Sequence, residues 1–78
     1  MKNKNNMSSS KIDSEKLIKL RKKALLSQTE LAEKSGVGRF TISRMEREKD
    51  SSFIGKSIRG VSKALNVDPE ELLKSEED

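Results

Sequence analysis

Two short helical segments joined at a glycine constrain this chain more than any other feature. The stretch runs from Leu26 to Arg47. Ser27, followed three residues on by Glu30, is the S-x-x-E signature of a capping box, in which two side chains satisfy backbone N–H groups left free at a helix start. Leu31 and Ala32 turn inward one turn later. Gly36 closes the segment where a left-handed residue is needed, a conformation glycine takes at little cost. Val37 fills the corner. A second helix starting at Gly38 or Arg39 shows Ile42 and Met45 on one face. Its other face carries Arg39, Phe40, Ser43, Arg44 and Arg47. Ala32 is small where the helices cross, so the pair packs closely and presents the second helix as a ridge. The major groove of DNA is wide enough for such a helix. Helix-turn-helix units dock in this way, with the N-terminal residues of the second helix on base edges.

The charge pattern agrees with a polyanionic partner. The net charge is +4, but residues 1–67 hold 16 Lys/Arg against 7 Asp/Glu, and residues 68–78 hold one Lys against six acids. The body is basic and the tail acidic. Charge alone also fits ordinary solvated helix faces. The helix-turn-helix register decides between the two.

The remaining segments extend a helical pattern. Residues 1–12 form a predicted disordered basic tail, since two methionines supply nearly all its apolar surface. Such a tail could instead reach the minor groove as a basic arm. A first helix begins after Asp13 or Ser14 and runs to about Lys23, with Leu17, Leu20 and Ala24 at inward spacing. Glu48–Ser52 is a polar connection. A fourth helix places Ile54, Ile58, Val61 and Leu65 on one face, with Gly55 and Gly60 inside it, where they weaken it or admit a close neighbour. Asp68, Pro69 and Glu71 give the cap, first position and box residue of a fifth helix, with Val67 and Leu72 as its hydrophobic staple. The acidic residues 75–78 are expected to fray.

Leu26–Val37 (Leu-Ser-Gln-Thr-Glu-Leu-Ala-Glu-Lys-Ser-Gly-Val) and Thr41–Arg47 (Thr-Ile-Ser-Arg-Met-Glu-Arg) resemble the Cro/phage-repressor (Xre) type of helix-turn-helix protein. The likeness extends more loosely over Leu17–Leu73. It implies an all-α, compact five-helix, lambda-repressor-like domain over residues 13–74. It also implies a backbone contact from Gln28, while the outward face of the second helix assigns base contacts to Arg39, Phe40, Ser43 and Arg44 and backbone contacts to Thr41 and Arg47, with Lys49 a further backbone candidate. Arg21 is expected to pair with Glu46, tying the first helix to the third. Three positions depart from the family pattern. Leu25 and Glu48 stand where glycine is common, and Ser52 near a usual proline. Leu25 is expected either to bear strain or to fill a gap.

Other function classes have little support. Without cysteine or histidine there is no thiolate chemistry, disulfide framework or transition-metal site. The carboxylate pairs Glu30/Glu33 and Glu70/Glu71 suit capping and surface roles, and a chain this short leaves no room for a pocket. No cofactor and no small-molecule effector is expected. The longest apolar run is Ala24–Leu26, so neither a membrane span nor a signal peptide is expected and a cytoplasmic location follows. The expectation is therefore a transcriptional regulator of repressor type, binding a palindromic operator as a homodimer. The dimer surface is assigned to the glycine-bearing fourth helix and to Leu72 and Leu73. The alternatives are the antitoxin of a toxin–antitoxin pair that also regulates its own gene and a protein-interaction module that kept the fold and lost DNA binding, against which the two arginines on the second helix of the pair speak.

Overall fold

The computed structural model of the protein describes residues 9–74. The expected tail up to residue 8 and the acidic end 75–78 lie outside the described residues. Four α-helices and a small antiparallel sheet make up the rest: β1 (Ser9–Lys11), α1 (Ser14–Lys23), α2 (Gln28–Ser35), α3 (Arg39–Arg47), β2 (Ser52–Ile54) and α4 (Gly55–Leu65), with a 3-10 turn at Pro69–Glu71. The expected all-α, five-helix domain is thus corrected on two counts.

The first correction concerns the chain's start. Ser9–Lys11, assigned to the disordered tail, pair with Ser52–Ile54, Ser10 lying opposite Phe53. On the far side, residues 72–74 join the same segment. The Asp13 N–H donates to the Leu72 carbonyl at 2.8 Å, and the Lys74 N–H to the Lys11 carbonyl at 3.0 Å. Ile12, bridged to Leu73, is buried in the core. The domain therefore starts before residue 13. A tail with one branched apolar residue shows no strand periodicity, and its partners are distant in sequence. No local signal announces it.

The second correction concerns the fifth helix. Asp68 makes no side-chain cap. Its carbonyl accepts from the Glu71 N–H at 2.9 Å, and one 3-10 turn results. The backbone then leaves helical geometry to hydrogen-bond with the β1 segment, and the extra ladder takes the groups a longer helix would have used. Ile54 likewise belongs to β2, half-exposed, rather than to the inner face of α4.

The core gathers Leu17, Leu31, Ile42, Met45, Ile58, Val61 and Leu65 from the four helices, with Ile12, Phe53 and Leu72 from the sheet side. Two backbone features let these elements meet. Leu25 has φ +60°, a left-handed conformation that costs a branched side chain about 1–2 kcal/mol. Its N–H donates to the Lys22 carbonyl and that of Leu26 to the Arg21 carbonyl, the paired bonds of a Schellman ending. Its side chain is 88% exposed, so Leu25 fills no gap. At Gly60, a Cβ would lie 2.9 Å from the Ser35 carbonyl oxygen and 3.2 Å from Val37 Cγ2. The glycine exists for the contact between α4 and the α2–α3 turn inside the domain, not for a second copy. Leu72 is 0% exposed, so it is not a dimer-surface residue as expected; Leu73 remains partly exposed.

Candidate nucleic-acid interface

The α2–α3 unit is built by local interactions. The Ser27 hydroxyl accepts from the Glu30 N–H at 3.0 Å, and the Ser27 N–H donates to Glu30 Oε1 at 2.8 Å, so the capping box is complete. Gly36 has φ +75° and donates its N–H to the Ala32 carbonyl. The Ser35 hydroxyl donates to the same carbonyl and accepts from the Val37 N–H, which stiffens the turn. Leu31 from α2 and Ile42 and Met45 from α3 are buried beneath.

With its inner face committed, α3 turns the rest outward. Arg39, Arg44 and Arg47 are exposed, and Phe40 is 84% exposed. Thr41 and Ser43 are half-buried at the edges of this face. Below it, Arg21 and Glu46 tie α1 to α3. Arg21 Nε donates to Glu46 Oε2 at 2.5 Å and Nη2 to Oε1 at 3.0 Å, while Nη1 reaches the Leu26 carbonyl at 2.9 Å. Hydrogen bonding to Glu46 holds the guanidinium pKa above its usual value. Ser14, buried at the start of α1, donates its hydroxyl to the Met45 carbonyl at 2.7 Å. That carbonyl is one of the acceptors a helix end leaves unpaired.

The helix-turn-helix family model matches residues 17–72. The chain belongs to the Cro/phage-repressor helix-turn-helix family. Its structure is similar to that of the restriction-modification controller protein C.AhdI from Aeromonas hydrophila, with a TM-score of 0.69 and 32% sequence identity. The match covers 77% of this chain and 89% of that one. No curated protein matches. As a member of this family the chain is a DNA-binding transcription regulator.

Within this helix-turn-helix protein the expected site residues separate into three groups. Arg39, Phe40, Ser43, Arg44 and Arg47 share the outer side of α3, with Thr41 at its margin. Gln28, at the start of α2, directs its amide inward: Nε2 donates to Glu46 Oε1 at 3.0 Å, adding a third strut to the Arg21 pair. Lys49 stands apart, 3.5 Å from Glu15 at the start of α1, both side chains largely exposed.

A cluster not expected from the sequence lies at the C-terminal end of α3. Glu48 Oε1 accepts from Arg44 Nε at 3.2 Å and from the Ser51 hydroxyl at 2.7 Å. Its other oxygen lies 3.7 Å from Arg47 Nη2, and Arg47 Nη1 is 3.4 Å from the Ser43 hydroxyl. The Arg44 guanidinium sits 5.1 Å from the centre of the Phe53 ring, a cation–π arrangement. The Ser51 hydrogen bond, then that of Arg44, holds the Glu48 carboxyl below its ordinary pKa. The i, i+4 spacing of Arg44 and Glu48 was the available signal. Among the described residues no helix is long and apolar enough to cross a membrane, and no group of His, Cys, Asp or Glu is placed to hold a metal.

Proposed function

We propose that this regulator is of repressor type and binds a palindromic operator as a homodimer. In this reading α3 lies in the major groove, with Arg39, Phe40, Ser43 and Arg44 on base edges and Thr41, Arg47, Lys49 and the α2 start at Gln28 on the backbone. The observation that carries it is Phe40. A phenylalanine 84% exposed on an arginine-lined helix contributes nothing to the core, and its chemistry suits a thymine methyl. Since the Gln28 amide is held by Glu46, that residue acts on phosphate through the α2 N-terminus.

One domain offers a short contact with DNA, and a two-fold pair doubles it, with half-sites about 34 Å apart or a multiple of that. Lys56, Arg59 and Lys63 line the exposed side of α4 and would repel their own copies, so the pairing surface is better assigned to the Leu73 end. Likeness to a restriction-modification controller over 89% of that chain favours the same duty here over that of an antitoxin. Selection of bound sequences from random duplex DNA tests the reading. A symmetric consensus is expected, and an asymmetric or absent consensus would refute it.

A further inference from the structure

An acidic residue at the C-terminal end of a DNA-facing helix needs a reason. Glu48 opposes the helix dipole there, and on a face that meets phosphates it lowers affinity for every sequence. An exposed i, i+4 pair with Arg44 contributes little to stability, and general affinity is reduced by the charge. The geometry of Glu48 supplies the reason. The carboxylate accepts from Nε of Arg44, and Ser51 holds the same oxygen from behind. The Phe53 ring supports the guanidinium from below. Among the described residues, Nη1 and Nη2 of Arg44 make no hydrogen bond within the protein.

We propose that Glu48, braced by Ser51, is a positioning residue for base recognition. It grips Arg44 by Nε and leaves the end-on pair of N–H groups at Nη1 and Nη2 to take the O6 and N7 acceptors of one guanine. The proposal rests on the reading of α3 as the base-reading helix. A solvated arginine on a helix surface samples many rotamers, and freezing one on binding costs affinity. Arg44 has that choice already made. Guanine rewards the preset fork with two parallel hydrogen bonds, and other bases cannot. The carboxylate thus gives up general affinity and gains selectivity at a single base pair.

The test measures binding of the full chain to the selected operator, and to duplexes with each base pair exchanged in turn. Wild type, Glu48→Gln, Ser51→Ala, Arg44→Ala and the Arg44→Ala/Glu48→Gln double variant are compared after melting curves confirm folding. Arg44→Ala identifies the base pair that it reads. At that pair Glu48→Gln should reduce discrimination roughly fivefold, the worth of about one hydrogen bond. Its binding to non-operator DNA should hold or rise. Ser51→Ala should cause a smaller loss at the same pair. In the Arg44→Ala background, Glu48→Gln should change nothing there. Unchanged discrimination in Glu48→Gln overturns the proposal alone. A loss that persists without Arg44 also overturns it, because Glu48 would then be touching a base itself. If Arg44→Ala flattens no position, the base-reading assignment of Arg44 falls and the proposal falls with it.

Discussion

Arg21 and Glu46 meet as a two-pronged pair, Nε to Oε2 at 2.5 Å and Nη2 to Oε1 at 3.0 Å, their side chains 13% and 6% exposed. Breaking it from one side leaves a buried charge without its partner, a loss of about 3–5 kcal/mol. Glu46→Gln should therefore lower the melting temperature steeply or abolish folding. Joint replacement by Arg21→Met and Glu46→Leu should recover much of the loss, because the two charges leave together. Thermal melts of the three variants form the cycle. Equal melting of Glu46→Gln and wild type would mean the pair is energetically idle.

Leu25 is strained and bare at once. Leu25→Gly should stabilise the domain by about 1 kcal/mol, since glycine takes φ > 0 without penalty. For a domain of this size that is a rise of about 4–8 °C in melting temperature. Leu25→Ala separates the two properties, as it removes the exposed side chain and keeps the strain. A rise with alanine equal to that with glycine would put the effect on surface exposure instead.

Gly60 and Gly55 lie in the same helix and should respond in opposite ways. Gly60→Ala drives a methyl to 2.9 Å from a backbone oxygen, and overpacking of that kind costs about 1–3 kcal/mol. At Gly55 the new methyl meets only Arg59 Nη1, a mobile side-chain end, so Gly55→Ala should be neutral or stabilising. Denaturant titration of both variants compares them directly.

Ser27, Glu30 and Gly36 act on their own neighbours, so their pattern alone was enough to place α2 and its turn. Gly60 was noticed as a glycine, but its use depends on Ser35 and Val37, which the chain brings near only after folding. β1 and Phe53 depend wholly on each other across the length of the domain, and neither carries a local mark. The outer residues of α3 were legible because its apolar stripe is regular. The Arg44–Glu48 contact carries a mark in its i, i+4 spacing, but its bracing does not, since only the folded loop brings Ser51 and Phe53 to that pair.

Phe40 separates binding from stability. Phe40→Ala should leave the melting curve within about 0.5 kcal/mol of wild type, as expected of an exposed position. Operator affinity should fall, and replacing the contacted thymine by uracil should weaken wild type without further weakening the variant. Uracil and thymine duplexes binding wild type equally would remove the methyl contact.

Glu48 gives the acid limb a defined sign. Its folded pKa is lowered, first by Ser51 and then by Arg44. The folded state thus takes up this proton less readily than the unfolded chain. Its stabilisation is complete above the ordinary glutamate value and disappears as pH falls through the lowered one. The melting difference between wild type and Glu48→Gln should be constant from neutral pH down to that region and shrink below it. A difference that persists unchanged into strong acid would show that the carboxylate charge plays no part.

The ladder from Asp13 to Leu72 and from Lys74 to Lys11 also sets when, during synthesis, the core can close. A ribosome making this protein has delivered the capping box, the turn and every arginine of α3 before Leu72 exists. Until that residue emerges, Ile12 lacks part of its cover and the β1 segment has only one edge to pair with. Folding must then close non-local contacts that reward the chain only at the end. A product interrupted short of Leu72 would carry all of α3 on an incomplete core. Incomplete chains would therefore be the ones most open to proteases, and finished copies the ones that persist.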